Sequence, residues 1–493
     1  MQSSVPSNPV RKTFLAHYKR AAGKRNPVHV SEGLRDLRRI TEQTILIFSV
    51  AKWIFLAALI GLIVGSSTTL FLKALETSMA YVQQYAYYFL LLPVALVFTW
   101  IFIQKVAPQA SGHGTERIIE AVHEQEGRID PRIAPVKLLA SIITVTFGGS
   151  AGREGPAAQA GAALASAFAQ LARFDPYDRK KLVICGISAG FAAVFGTPIA
   201  GAIFGVEVLV VGGLLYDVLL PSLVAGIVAY GTTSNFGIHF FRHPMELSPT
   251  LDVTLLGYAA LAGVIFGIAS IWLIEIVQLG HRFSARLRIN PLVKAAGAGV
   301  ILIVLALAFS PKYLSLGADS IDAMLGGAPA SLADVVLKPV FTAITLGSGG
   351  SGGVLSPLFF LGSATGSVFA QFFQLSLPLF AALGFVAVLS GASNTPISAS
   401  IMSIELFGPE IATYATTACV ISFLVSGHRS IYPSQVFEMS KSASIEVEKG
   451  RVAQMLNSRA KNRYEGLRGA YYRFMGALEG TLWDRKSDKK KQR

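Results

Sequence analysis

Two short runs of glycine, serine and proline carry the residue patterns with the plainest chemistry. One is Gly149-Ser150-Ala151-Gly152-Arg153-Glu154-Gly155-Pro156. The other runs from Gly347 through Gly353-Val354-Leu355-Ser356-Pro357. Each reads as the start of a helix, because proline fits a first turn where no N–H is needed and glycine lets backbone approach a ligand closely. A helix start presents unpaired N–H groups and the positive end of its dipole, so two that face each other hold a small anion without a full countercharge. The competing reading makes both runs tight turns between apolar segments. Glu154 lies inside the first run, and a carboxylate beside an anion site can occupy that site as a tethered competitor. Protonation removes the competing charge and frees the path. The passage should therefore depend on pH and, because the charge lies in a transmembrane field, on voltage. An ion pair with Arg153 is the alternative, opposed by the divergence of adjacent side chains on a helix.

The elements that must position these runs are apolar. The chain has 493 residues, 52% hydrophobic and only 15% charged, where a soluble protein carries roughly a quarter charged residues. This excess indicates a membrane protein and excludes a soluble multi-domain enzyme, a disordered chain and a collagen-like repeat. Cys185 and Cys419 are too few for a disulfide framework. Segments that reach or approach a membrane span include 44–71, 87–103, 182–211, 219–230, 255–277 and 295–309, followed by 335–346 and an interrupted stretch from 359 to 424. Gly, Pro, Ser and Asn interrupt many of them at membrane depth, where irregular backbone persists only if packed in protein or lining a polar cavity.

All the excess charge is terminal. Residues 1–45 hold nine Lys/Arg against three Asp/Glu, and residues 441–493 fourteen against six, which accounts for the whole formal charge of +14. Basic flanks stay on the cytoplasmic side, so both termini should be cytoplasmic and the number of crossings even. No reading motif supports nucleic-acid binding, and the polar first 44 residues show no cleavable leader. The expected organisation is a basic cytoplasmic segment (1–45), a first membrane unit (46–245), a second (246–440) and a basic cytoplasmic tail (441–493). The terminal segments are expected to be helices and tail.

The two membrane units repeat each other. Gly149, Ser150, Gly152, Pro156, Gly161, Ser166, Phe168, Ala169 and Gln170 recur 201 positions later. Thr197-Pro198-Ile199 with Glu207 recurs 198 positions later as Thr395-Pro396-Ile397 with Glu405. Duplicated halves with helices broken at matching places mark a transport pathway at their interface. The expected fold class is an all-α integral membrane protein of two inverted-topology repeats of tilted, partly broken helices. Gly349-Gly350-Ser351-Gly352-Gly353 also fits the pattern of a serine hydrolase elbow, with His428 or His113 as base. Its strand-turn-helix setting is absent.

These residues resemble the CLC family of chloride channels and proton-coupled chloride antiporters, over roughly residues 47–440. Gly152-Arg153-Glu154-Gly155-Pro156 resembles its gating motif, with Glu154 as the gating glutamate. Gly353-Val354-Leu355-Ser356-Pro357 resembles its second helix-start motif, with Leu355 where Phe is usual. Gly112-His113-Gly114 stands in the place of Gly-Ser-Gly, and Tyr432 in that of the pore tyrosine. The resemblance implies an anion held by backbone N–H groups at Val354 and Leu355, by the Tyr432 hydroxyl and by His113 in place of serine. Ser111 takes that role if the register slips by two. A protonated imidazole, populated as pH falls towards about 6, would hold the anion more strongly. The inner glutamate of the family's antiporters falls on Val208, which carries no proton. Glu207 faces about 100° away around the helix and, with Glu405, suggests bonding to backbone at helix breaks. The chain therefore leans to passive, channel-like chloride conduction. Proton-coupled antiport of chloride or fluoride is the alternative. The resemblance also implies a homodimer in a bacterial inner membrane, with chloride or similar small anions, protons and the bilayer as partners, no cofactor or metal, and no nucleotide-binding CBS modules.

Overall fold

The computed structural model describes residues 32–245, 251–442, 445–447, 450–453 and 458–460. Most of the two basic terminal segments lies outside the described residues. The described residues form sixteen α-helices, joined by short 3₁₀ turns. In the first half these are α1 (Glu32–Val82), α2 (Leu92–Val106), α3 (Thr115–Glu124), α4 (Ile133–Thr146), α5 (Glu154–Leu171), α6 (Pro176–Phe195), α7 (Pro198–Glu207) and α8 (Tyr216–Asn235). In the second they are α9 (Val253–Arg286), α10 (Pro291–Ala308), α11 (Ala318–Leu325), α12 (Leu332–Gly347), α13 (Leu355–Phe373), α14 (Leu377–Ser393), α15 (Pro396–Phe407) and α16 (Ala412–Val425).

Among the described residues five helices are long and apolar enough to cross a membrane, α1 among them with the segment Thr41–Val82. The others are shorter or less apolar. The apolar stretch 182–211, expected as one span, is two helices. The chain turns at Gly196 in the left-handed region (φ +70°), ending α6, and Pro198 opens α7. Long apolar sequence thus becomes broken helix wherever Gly and Pro punctuate it.

Two features depart from the expected organisation. The boundary at residue 45 falls inside α1, which runs unbroken from Glu32, so the basic flank continues directly into the first span. The tail is not helical where it is described. Short strands β3 (Ile445–Val447), β4 (Arg451–Val452) and β5 (Ser458–Ala460) appear there instead, preceded in the chain by β1 (Val210–Val211) and β2 (Val436–Phe437). β2 pairs with β1 in parallel and with β4 antiparallel, so the residues around 440 are stitched to the first half.

The duplication is written into the packing. Gly161 of α5 abuts the backbone of Gly186 in α6, and Gly362 of α13 abuts Gly384 in α14; a Cβ at any of the four would collide with facing backbone. Ser166 and Gln170 on α5 bond the backbone at Ile129, as Ser367 and Gln371 on α13 bond the backbone at Ala330. The halves also exchange matching contacts. Ser150 binds Thr342 and Thr345 on α12, while Ser351 binds Ser141 and Thr144 on α4. Such reciprocal exchange is what a pseudo-two-fold relation between two copies produces.

Candidate functional site

The two glycine-rich runs meet at the centre of the molecule. Gly152 N donates to Gly353 O and Gly353 N to Gly152 O, each at 2.7 Å, a two-bond antiparallel bridge immediately before the two helix starts. α5 begins at Glu154 and α13 at Leu355, with Arg153 and Val354 in the cap positions and Pro156 and Pro357 in the first turns. Both runs are therefore helix starts packed in protein, with Gly152, Gly155, Gly353, Val354 and Leu355 all buried.

Glu154 does not pair with Arg153. The guanidinium instead reaches Glu76 at 3.4 Å. The Glu154 carboxylate, only 2% exposed, crosses to the other start and takes the backbone N–H of Ser356 at 3.3 Å and the Ser356 hydroxyl. Ser356 N–H belongs to the first turn of α13 and has no intrahelical acceptor, so a negative group satisfies it and the helix dipole together. Gly152 leaves the room: a Cβ there would strike the carboxylate and lie 3.0 Å from Ser356 N. The N–H that the carboxylate engages is that of Ser356, one residue beyond Leu355 and two beyond Val354.

Gly112-His113-Gly114 packs on the same centre. Gly112 and Gly114 have φ near +90°, which only glycine adopts easily. Gly114 sits against Gly155 O, and Gly155 against His113 O and the Cα of Gly353. His113 is buried, its Nδ1 without a hydrogen-bond partner, and its ring stands edge-on to His281 of α9 with centroids 4.8 Å apart. Ser111 and His113 both line a cavity of about 1050 Å³, together with His281, Arg282, Lys294 and Arg429. Of the two, His113 is the one packed on the helix starts. Tyr432 is 1% exposed, and its hydroxyl makes no well-formed hydrogen bond; Thr115, at the start of α3, is a hydroxyl neighbour.

Glu207 and Glu405 are structural. Glu207 accepts from Ile397 N (3.1 Å) and Ser398 N (2.9 Å), capping α15. Glu405 accepts from Ile199 N (3.0 Å) and Ala200 N (2.8 Å), capping α7. Each carboxylate closes the broken helix of the opposite half. Val208, expected from the resemblance at the inner proton position, is fully buried. Ser351, proposed for a hydrolase elbow, has its hydroxyl against Ser141 at 3.0 Å.

Sequence reasoning missed Ser356, His281, Gln435 and Lys137. Lys137 is 0% exposed inside α4, and its ammonium holds Gly112 O at 2.6 Å and Ala110 O at 3.2 Å, clamping the His113 loop. Its counterpart Lys338, 201 positions on, holds Tyr313 O and Ser315 O in the same way. A lysine in an apolar helix is a flag in itself, and its recurrence at the repeat offset was the available signal.

Discontinuous helices from two inverted repeats, meeting start to start at a buried centre, define an integral membrane transport protein of the duplicated type. Residues 94–427 match the family model described as the voltage-gated chloride channel. The chain is 36% identical over 412 residues to a protein of Pseudomonas syringae pv. tomato named chloride/fluoride channel protein, covering 82% of this chain and 90% of that one. It is 29% identical over 343 residues to the voltage-gated ClC-type chloride channel ClcB of Escherichia coli, covering 67% and 80%. Among solved structures it resembles a CLC-type fluoride/proton antiporter, with a TM-score of 0.76 and 31% identity over 79% of this chain and 99% of that one. A slow cyanobacterial Cl⁻/H⁺ antiporter shares the fold at a TM-score of 0.67 and 19% identity. The chain belongs to the CLC family of chloride and fluoride channels and proton antiporters.

Proposed function

We propose that this chain passes small halides across the membrane between the two helix starts, with Glu154 as the gate. Backbone N–H groups at Val354, Leu355 and Ser356, the Tyr432 hydroxyl and His113 are the anion's ligands in this reading. One observation carries it: the Glu154 carboxylate sits on the Ser356 N–H and hydroxyl, a socket built for a negative group. A halide that takes the socket must displace the carboxylate, and a protonated carboxyl leaves it. Fluoride belongs beside chloride as substrate, because both names occur among the relatives.

Val208 favours passive conduction, since it offers no proton carrier at the inner position. The solved fluoride/proton antiporter at 31% identity favours a second reading, coupled exchange. Reconstituted vesicles separate them. With a halide gradient imposed and halide and pH electrodes read together, channel behaviour gives halide efflux with no uphill proton movement. Protons driven against their gradient establish exchange. In both readings the protein is a homodimer with one pathway per subunit, resident in a bacterial inner membrane with both termini cytoplasmic.

A further inference from the structure

The Tyr432 hydroxyl makes no well-formed hydrogen bond, so the packing around its buried ring and the loop that carries it, residues 430–434, set its place in the site. Within that loop Ile431 N bonds Ala392 O at 2.9 Å, Tyr432 N bonds Ser430 Oγ at 3.0 Å and Gln435 N bonds Tyr432 O at 3.0 Å. One side chain ties this arrangement to both repeats at once. Gln435 is 0% exposed and uses its whole amide. Its Nε2 donates to Val208 O at 3.0 Å and to Ser393 O at 2.9 Å, and its Oε1 accepts from Asn394 Nδ2 and Ser430 Oγ, both at 2.8 Å.

The two carbonyls lie at the C-terminal ends of α7 and α14, one broken helix from each repeat, where the last carbonyls have no intrahelical donor. Gln435 therefore caps both helices with its donors and holds the tyrosine loop through Ser430 with its acceptor. An ionised glutamate supplies no donor, methionine supplies neither kind of group, and asparagine is one methylene too short.

The geometry points to Gln435 as the positioning residue of the pore: through Ser430 it sets where the Tyr432 hydroxyl stands, and thereby how the protein discriminates between halides. This deepens the proposed function and rests on Tyr432 being an anion ligand. A carbonyl-capping role alone would change the amount of folded protein and the total flux, not the ratio of one halide to another.

The test is a double-mutant cycle on the full-length protein in vesicles, reading chloride and fluoride efflux from monodisperse preparations. Tyr432→Phe should change the chloride-to-fluoride ratio. Gln435→Met should change it by about fivefold, the worth of one net hydrogen bond, and should add nothing in the Tyr432→Phe background. Ser430→Ala cuts the same chain without uncapping either helix, and should shift the ratio in the same direction even if Gln435→Met fails to fold. If Tyr432→Phe leaves the ratio unchanged, the pore reading itself falls and takes the inference with it. If Tyr432→Phe shifts the ratio but Gln435→Met and Ser430→Ala do not, or shift it equally in the Tyr432→Phe background, the pore reading stands and the role assigned to Gln435 is overturned.

Discussion

At the first helix start Glu154 occupies the place that Leu355 holds at the second, and Gly155 the place of Ser356. The backbones are near copies, bridged to each other at Gly152 and Gly353. Their side chains have parted. One copy supplies a carboxylate on a short tether; the other supplies the N–H and hydroxyl that receive it. Four differences between the aligned runs 149–156 and 350–357 separate a copy that carries the carboxylate from a copy that carries its donors; in the proposed function they are a plug and a socket. The same contrast appears in the loops clamped by Lys137 and Lys338, where His113 on one side matches Leu316 on the other.

Removing the plug should have the largest effect. Glu154→Gln or Glu154→Ala leaves the socket open, so flux at neutral pH should rise about tenfold or more, the worth of a charge-assisted bond lost from the closed state. The rise in flux that the gate predicts for the wild type as pH falls should disappear, because no carboxylate remains to be protonated. Halide efflux measured from pH 4 to 8 checks both. A variant that keeps the wild-type profile would remove Glu154 from the gate.

The reciprocal caps offer a comparison without any bearing on the gate. Glu207→Gln and Glu405→Gln each replace a carboxylate that accepts two backbone N–H groups with an amide that turns a donor toward one of them. Glu207 is buried and Glu405 half-buried. The cost should be about 2 kcal/mol at Glu207 and less at Glu405. The midpoint of thermal loss of monodisperse protein should follow that order, while pH dependence of flux stays as in the wild type. Equal loss at the two positions would mean that burial does not set the energetics of these caps.

Much of this was legible in the sequence, and the reasons differ by region. The helix starts were readable because Gly, Pro and the repeat offset of 201 all mark backbone, and backbone geometry follows residue type directly. Glu207 and Glu405 were readable as backbone-binding for the same reason, each lying nine residues after a Thr-Pro break. The loop pair was not. Gly114 and Ile118 match Gly317 and Ile321 at an offset of 203, too few identities to stand out once the offset had slipped by two. Ser356 was passed over because the bond it makes joins two halves 202 residues apart. Gln435 lay hidden because an isolated polar residue declares nothing until its four partners surround it. The tail misled for another reason: its charge signalled a solvated flank, whereas its strand near 451 pairs with Val436 and Phe437, which in turn pair with Val210 and Val211, an arrangement no local pattern reveals.

Ser356→Ala acts on the socket alone. It deletes the hydroxyl bond to Glu154 and leaves the Ser356 N–H, so the plug is held by one donor instead of two. Flux at neutral pH should rise about fivefold, less than on removing the carboxylate itself. Combined with Glu154→Ala, the serine change should have almost no further effect, because its partner is gone. Additive effects in that pair would show that Ser356 works on the halide directly.

The smallest expected effect belongs to the loop. His113→Leu gives the loop clamped by Lys137 the residue its mate carries at position 316, and His113→Ser supplies a hydroxyl. Both are best made in the Glu154→Gln background, where the gate no longer titrates and any pH dependence left has another source. Lys137, Glu116 and His281 share the surroundings of this imidazole. Burial and the Lys137 ammonium that clamps its loop disfavour a second proton on this ring, so the neutral imidazole offers one N–H and halide flux in the Glu154→Gln protein should stay within about twofold as pH drops to roughly 6. His113→Leu, which removes that N–H, should lower the flux about threefold at every pH, while His113→Ser should keep it near the Glu154→Gln level. A pH-dependent step that vanishes in His113→Leu would show that the imidazole does take up a proton, and a flux unchanged by His113→Leu would make the two mirrored loops equal in function despite their difference in sequence.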